Sequence, residues 1–100
     1  MDSKFFNLLG LARRAGKIAW GHDTALFAIK SKKAHICILA SDVSDRLKNE
    51  FRRECTYDDR NVKLIELDKT MEDMKSIIGV KTGVLTVNDE GFAKSLNKYN

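Results

Sequence analysis

The sequence predicts an α/β fold in which a four-stranded sheet lies between layers of helices. Segments whose apolar residues recur at helical spacing alternate along the chain with short apolar segments that have the character of strands. The chain has 100 residues, 43% of them hydrophobic and 32% charged, which is the balance of one globular domain. It contains no proline and no low-complexity tract. We therefore expect a single domain over residues 1–100 with the order α-β-α-β-α-β-α-β-α.

The chain is predicted to begin with a helix, a short strand and a second helix. Apolar residues recur at helical spacing over 4–15, where Ser3 is placed to cap the helix and Gly16 to end it. Residues 18–20 form a short extended segment. A second helix is predicted over 22–33, and lysines cluster at its end, where positive charge suits the negative end of the helix dipole.

The middle of the chain predicts two strands with a helix between them. Residues 35–40 form a near-continuous apolar run, which is typical of a strand covered on both faces. A loop at 41–44 leads into a helix over about 45–56, and a further strand covers 62–67. The inner stripe of that helix consists of Leu47, Phe51 and Cys55.

Cap residues delimit the last two helices. Thr70 can cap a short fourth helix, which Gly79 ends. Residues 83–87 form the fourth strand, and either Asn88 or Asp89 caps the last helix. Each helix is thus predicted from an apolar stripe together with a start or stop signal.

The net charge and the cysteines indicate what kind of partner and which cellular compartment to expect. Eighteen lysines and arginines against fourteen aspartates and glutamates give a net charge of +4, which is compatible with a polyanionic partner. Cys37 and Cys55 are too far apart for a CxxC motif and are interpreted as structural thiols in a reducing compartment. No apolar run approaches the ~18 residues of a membrane span, and no export signal is recognisable. A cytoplasmic protein that does not contact membranes is expected.

The residues that could carry catalysis do not form a recognisable set. His22 and His35 have no evident Cys, Ser or acidic partner in the sequence. The acidic pairs at 58–59 and 89–90 lie beside turns and helix starts, where carboxylates usually act as caps. The spacing of the six glycines matches neither GxGxxG nor a P-loop. We therefore expect no enzyme, no metal site and no cofactor.

Basic residues are better organised than potential catalytic residues. They form four groups: Arg13, Arg14 and Lys17; Lys30, Lys32 and Lys33; Arg46, Lys48, Arg52 and Arg53; and Lys81. Each group taken singly can be interpreted as a solvated helix face, because phosphate binding needs several cations on one side. Ligands of alternating α/β folds often collect at loops beyond one end of the strands. The loops at 20–23, 41–44 and 80–83 are therefore predicted to meet in one cationic ledge.

Two residues at the first of these loops have alternative interpretations. An exposed Trp20 could stack on a base, whereas a buried Trp20 would pack against the core. Gly21 allows either the close approach of a ligand or a turn with positive φ. The backbone N–H groups that begin the helices at 22–25 and 44–47 can bind a phosphate or a base edge.

Four short motifs occur in a fixed order along the chain: LGLARRAGK at 9–17, WGHD at 20–23, LASD at 39–42 and NDEGFA at 88–93. This ordered set resembles the kink-turn RNA-binding ribosomal-protein family, that of archaeal "L-seven-Ae" and eukaryotic "L-thirty-e". Within that family it is most similar to the bacterial YlxQ-like branch. The resemblance covers essentially the whole chain and implies a three-layer α/β/α sandwich around a mixed four-stranded sheet.

The resemblance also implies where RNA would bind. The family binds a sharply bent RNA helix through segments that correspond to 21–27, 40–44 and 80–83 of this sequence. Its Gly-x-Asn-Glu-x-x-Lys run reads here as Gly21, Asp23, Thr24 and Phe27 at the four specified positions. Relative to the family pattern, residue 23 loses an amide donor, residue 24 is shorter and residue 27 loses a cation.

The residues expected to contact RNA lie in these segments and at the end of the second helix. They are Trp20, Gly21, His22, Asp23, Thr24, Phe27, Lys30, Lys33, Ser41, Asp42, Val43, Val80, Lys81, Thr82 and Gly83. In this interpretation Lys30, Lys33 and Lys81 meet phosphates. Asp23 and Thr24 then form hydrogen bonds with bases or sugars.

Two functions follow from this interpretation. The first is a non-enzymatic, ribosome-associated RNA-binding protein that recognises structured RNA, with ribosomal or kink-turn RNA as the candidate target and no binding of DNA. The second is a protein-interaction adaptor of the translation or transcription machinery on the same fold. Aromatic side chains are enriched in protein interfaces. Burial of Trp20 and Phe27 in the core would therefore remove the main support for the adaptor function.

Overall fold

The computed structural model describes residues 3–100, and all the predicted elements are present in the predicted order. The helices are α1 (Ser3–Arg14), α2 (His22–Lys30), α3 (Asp45–Thr56), α4 (Met71–Ile78) and α5 (Glu90–Asn97). The strands are β1 (Ile18–Trp20), β2 (Ile36–Leu39), β3 (Lys63–Glu66) and β4 (Val84–Val87), and a short 3₁₀ helix covers Tyr57–Asp59.

The four strands form one mixed sheet in the order β1-β4-β2-β3. Strand β4 is antiparallel to both β1 and β2, whereas β2 and β3 are parallel. Trp20 lies opposite Leu85, and Leu39 lies opposite both Val84 and Glu66. One end of the sheet therefore holds the last residues of β1, β2 and β3 and the first residue of β4. This register brings the loops that follow Trp20 and Leu39 beside the loop that precedes Val84.

Helices cover both faces of the sheet and give the three-layer α/β/α sandwich. Helix α1 packs against α4 and α5, while α2 and α3 pack together and against the strands. All four residues of β2 and all four of β4 are buried, as expected for central strands between two helical layers. Phe51 from α3 and Leu9 from α1 are fully buried in the core, and burial of such a side chain stabilises the fold by roughly 1.5–3 kcal/mol.

The cap predictions are confirmed at both of the last two helices. The Thr70 hydroxyl accepts a hydrogen bond from the Asp73 N–H at 3.1 Å, and the Asp73 carboxylate accepts one from the Thr70 N–H at 2.9 Å. Gly79 ends α4 in the left-handed conformation at φ 86°. Asp89, and not Asn88, caps α5 by accepting a hydrogen bond from the Phe92 N–H.

Two predicted helix boundaries are wrong. Ser3 is already helical and is not the N-cap of α1. Helix α2 ends at Lys30, three residues earlier than predicted, because Ser31 caps it and Lys32 adopts φ 63°. Lys32 and Lys33 therefore lie in the loop before β2 and not in the last turn of the helix.

The two cysteines are buried and free. A hydrogen bond with Cys55 and burial both raise the pKa of the Cys37 thiol, so this thiol stays protonated at neutral pH. Protonated, buried thiols behave as small hydrophobic groups. Their role in the core agrees with their interpretation as structural residues.

Candidate functional site

The three predicted loops meet in one open groove of about 480 Å³ at the edge of the sheet. The Gly21 N–H donates to the Val84 carbonyl at 3.0 Å, and the Ala40 N–H donates to the Gly83 carbonyl at 2.9 Å. These backbone hydrogen bonds join the start of α2 and the loop after β2 to the loop before β4. The groove is lined by Gly21, His22, Asp42, Val43, Ser44, Leu47, Met71, Lys81, Thr82, Gly83 and Val84.

Two glycines are required for this arrangement. Gly21 adopts φ 93° and ψ 158°, a region that is essentially restricted to glycine, while space around its missing Cβ is open. Gly21 is therefore needed for the backbone conformation of the turn before α2, and not to avoid a clash between a side chain and its neighbours. Gly83 is needed for close approach, because a Cβ there would lie 2.5 Å from the Cγ1 atom of Val43. Gly83 therefore lets the 41–44 loop pack directly against the start of β4.

His22 is the first residue of α2 and is held between two carboxylates. Its Nδ1 atom lies 2.9 Å from Asp23 Oδ1, and its Nε2 atom lies 2.8 Å from Glu50 Oε1 on α3. The ring also packs edge-to-face against Phe51 with 5.5 Å between centroids. The hydrogen bonds with Asp23 and Glu50 raise the pKa of His22 above its usual value. The sequence shows no evident acidic partner for His22, and the structure supplies two, Asp23 and Glu50.

Several groove residues are held by hydrogen bonds within the protein. The Asp42 carboxylate accepts the Met71 N–H at 2.9 Å and so caps α4 from the neighbouring loop. Ser44 caps α3 by accepting the Leu47 N–H, so this helix start does not present all its N–H groups to a ligand. The buried Thr82 hydroxyl donates to the Val84 carbonyl at 2.8 Å. Asp42, Ser44 and Thr82 thus shape the groove.

The start and outer face of α2 remain accessible. No side chain caps α2, in contrast to α3, α4 and α5. Asp23, Thr24 and Phe27 are exposed on the side of α2 that faces away from its buried Ala25, Ala28 and Ile29. The first N–H groups of α2 and these side chains can therefore contact a ligand beside the groove.

The two aromatic side chains singled out from the sequence are both solvent-accessible. Trp20 is 41% exposed at the end of edge strand β1, and Phe27 is 66% exposed on α2. Burial of Trp20 in the core is therefore wrong, whereas packing of one side of the ring against the core agrees with its 41% exposure. Either ring offers an apolar face on which a nucleobase could stack.

The ledge formed by the three loops is not cationic, contrary to the prediction. Lys81 carries a positive charge there but lies 3.6 Å from Glu72. Asp23, Asp42 and Glu50 add negative charge around the groove.

Lys30 and Lys33 lie far from that groove. Both are exposed: Lys30 is the last residue of α2, about 12 Å from its start at the helical rise of 1.5 Å per residue, and Lys33 lies in the loop that follows. The structure thus leaves the two lysines at the other end of the helix.

The structure brings seven predicted residues together in the groove: Gly21, His22, Asp42, Val43, Lys81, Thr82 and Gly83. Asp23 and Thr24 lie beside it on the first turn of α2. Ser41, whose N–H donates to the Lys69 carbonyl, and Val80, which packs against the core, do not line it, and neither does Trp20.

Sequence reasoning missed Glu50, Leu47 and Met71, which reach the site from helices outside the three loops. Glu50 orients His22, while Leu47 and Met71 supply apolar lining from α3 and α4. Their contributions depend on contacts between elements distant in the chain, and no local motif marks them. Residues 3–100 contain no group of three or more His, Cys, Asp or Glu side chains that could hold a metal ion. No helix within that range is long and apolar enough to cross a membrane.

Two similar proteins cover most of this chain. One, from Enterococcus faecium, is 35% identical over 91 residues, which are 91% of this chain and 85% of the relative. The other, from Bacillus subtilis strain 168, is 30% identical over 98 residues and spans 93% of this chain and 91% of the relative. Both bear the name RNA-binding protein YlxQ. These relatives agree with the expectation that the chain is not an enzyme and with its resemblance to the YlxQ-like branch.

Solved structures share the fold over almost the whole chain. A protein of unknown function from Bacillus halodurans superposes with a TM-score of 0.88 at 24% identity and covers 97% of this chain and 96% of its own. The Giardia lamblia 15.5kD RNA binding protein superposes with a TM-score of 0.76 at 17% identity and covers 98% of this chain and 86% of its own. A family model also matches residues 3–97. On this match and these relatives, the chain belongs to the Ribosomal protein L7Ae/L30e/S12e/Gadd45 family.

Proposed function

We propose that this protein is a non-enzymatic, cytoplasmic RNA-binding protein that recognises structured RNA through the groove and the outer face of α2. The observation that carries the proposal is the convergence of three separate loops around the uncapped start of α2. The names of the two YlxQ relatives and of the Giardia protein support RNA as the ligand. Ribosomal RNA and kink-turn RNA are the candidate targets, and association with the ribosome is part of the proposal.

The proposed contacts differ in kind along the site. Trp20 and Phe27 stack on unpaired bases, an interaction worth roughly 1–3 kcal/mol per base. Thr24 and Asp23 form hydrogen bonds with base edges or ribose hydroxyls, since both are exposed at the first turn of α2. Lys81 contacts a phosphate, which replaces the exposed Glu72 carboxylate as its ionic partner. Single-stranded loops and bulges suit these contacts, because their bases can be splayed out.

A binding experiment with a matched aromatic control tests the proposal. Phe27→Ala should weaken binding of a bulged or kink-turn RNA about tenfold or more, as loss of one stacked base predicts. Tyr57→Ala removes another exposed aromatic ring, 61% exposed in the 3₁₀ segment outside the groove, and should leave the Kd unchanged. A DNA duplex of the same length should bind more weakly than the RNA. Equal affinities for both aromatic variants, or no binding of either RNA at low salt, would contradict the proposal.

The adaptor function is a second candidate, favoured by the exposed aromatics beside a carboxylate-rich groove. Partners from the translation or transcription machinery would then bind the same surface. Capture of partners before and after ribonuclease treatment separates the two functions. A partner kept after RNA digestion favours the adaptor, whereas loss of the partner favours RNA binding.

A further inference from the structure

We propose that the end of the molecule opposite the groove is a second RNA contact, which binds the phosphodiester backbone of the same RNA. This inference rests on the proposed RNA-binding function. The surface, here called the basic end, consists of the cations that follow or end α1 and α2: Arg13, Arg14, Lys17, Lys30, Lys32 and Lys33.

The sheet register brings these two chain segments to one end of the molecule. The Asn88 N–H donates to the Lys17 carbonyl at 2.8 Å, and the His35 N–H donates to the Val87 carbonyl at 2.8 Å. Lys17 and His35 therefore flank the end of β4 on its two sides, about two strand spacings or ~10 Å apart. Lys33 is two residues before His35 in the adjoining loop. The two groups of cations are thus close enough to contact one RNA backbone.

Five of the six cations of the basic end are exposed to solvent, and Arg13 is half-buried. Among residues 3–100, none of the six forms an ion pair within 4 Å, whereas Lys81 at the groove pairs with Glu72. Lys17, Lys30 and Lys33 are exposed. Phosphate binding releases counterions from the RNA, so unpaired, solvated cations are the groups that gain most from it.

The nearby carboxylates offset only part of this charge, because Asp58, Asp59 and Asp89 oppose six cations. Asp89 is engaged as the cap of α5, and Glu90 pairs with Lys94 at 3.1 Å. Asp58 and Asp59 line a cavity together with Lys32 and His35, so of the six cations they lie beside Lys32. Arg14, Lys17, Lys30 and Lys33 are left outside that cavity, facing solvent.

The exposed face of α2 connects the two contacts. Phe27 and Lys30 follow Asp23 at helical spacing on the solvent side, and the Lys33 Nζ atom lies 6.0 Å from the centre of the Phe27 ring. An RNA that stacks a base on Phe27 is therefore already beside Lys33. Its backbone can continue across Lys33 towards Lys17, which places base contacts at one end of α2 and phosphate contacts at the other.

Salt titrations of RNA binding test the basic end with charge-matched variants. Lys17→Gln/Lys33→Gln removes two charges there, and Arg14→Gln/Lys17→Gln does the same without touching the neighbour of Phe27. Lys75→Gln/Lys98→Gln removes two exposed charges elsewhere. Lys75 is on α4. Lys98 is next to Tyr99, whose ring contacts Lys4. Lys4 is near the start of α1, whereas Arg14 of the basic end is at the end of that helix.

Both basic-end variants should reduce the slope of log K against log salt by about 1.4–1.8, or 0.7–0.9 per phosphate contact. The control pair should leave the slope nearly unchanged. Unchanged slopes for both basic-end variants, with Phe27→Ala still weakening binding, would overturn this inference and leave the proposed function intact. Equal reductions in the control pair would overturn it as well. Failure of the unmodified protein to bind RNA at low salt would overturn both proposals.

Discussion

His22 shows how one residue at the start of α2 couples the groove to α3. Its ring lies 2.8 Å from Glu50 on α3, and its hydrogen bonds with Asp23 and with Glu50 raise its pKa. A raised folded-state pKa means that the charged form is stabilised by folding. This stabilisation is complete below the unfolded pKa of about 6.5 and is lost as pH rises through the folded value.

His22→Gln should therefore destabilise the protein more at pH 5.5 than at pH 8.5. The free energy of unfolding from urea denaturation at the two pH values measures the difference. The effect is expected to be modest, because the His22 side chain is 42% exposed and solvent screens the pairs. The Asp23→Asn/Glu50→Gln background is the control, in which the same substitution should lose its pH dependence. An equal free-energy change at both pH values in the unmodified background would contradict this account of His22.

The sequence predicts single residues well where one local conformation decides their identity. The positive φ at Gly21 and the cap at Thr70 are both signalled by neighbouring residues in the chain. The Glu50 contact to His22 crosses 28 residues and leaves no local pattern. Exposure of Trp20 also depends on β1 being an edge strand, which is a property of the sheet.

At the scale of elements, α4 is fixed by caps at both ends. Thr70 and Asp73 form a reciprocal capping box, and Asp42 adds a hydrogen bond to the Met71 N–H from the groove loop. The hydrogen bonds from Thr70 hold the pKa of Asp73 below its usual value. The stabilisation from ionised Asp73 is thus present above the unfolded pKa and is lost as pH falls through the lower folded pKa.

Thr70→Ala should cost about 1 kcal/mol of stability and lower Tm by roughly 4–8 °C, since it removes the acceptor for the Asp73 N–H. Thermal unfolding followed by circular dichroism measures the change. Thr56→Ala is the matched control, because the Thr56 hydroxyl donates only to carbonyls within α3, at 3.3–3.4 Å. Equal Tm changes for the two variants would show that the cap does not stabilise α4.

Element types are predicted from local periodicity, but their partners are not. The apolar run at 35–40 correctly predicts a central strand, and the buried pattern of β2 agrees. The order β1-β4-β2-β3 places the last strand in the middle of the sheet, next to the first. This pairing joins segments more than 60 residues apart, so spacing along the chain does not specify it. The early end of α2 also depends on Lys32 adopting a positive φ, for which lysine has no preference.

At the scale of the whole molecule, the fold places the converging loops and the basic end at opposite ends of the sheet. The groove end holds the loops that converge but is rich in carboxylates, and the basic end holds cations without ion pairs among the described residues. The net charge of +4 correctly suggests a polyanionic partner as one possibility, but a total cannot show where the charge lies. Only the sheet register brings Lys17 and Lys33 to one side.

The most direct measurement is a map of backbone amide shifts in the ¹⁵N-labelled protein during titration with a bulged or kink-turn RNA. The largest changes should occur at 20–27, 41–44 and 80–83, with a second set at 14–17 and 30–33. Lys75 and Ser76, which are exposed on α4 away from both contacts, should change little. Large changes confined to residues outside the groove and α2, or none at saturating RNA, would contradict the RNA-binding surface proposed for this chain.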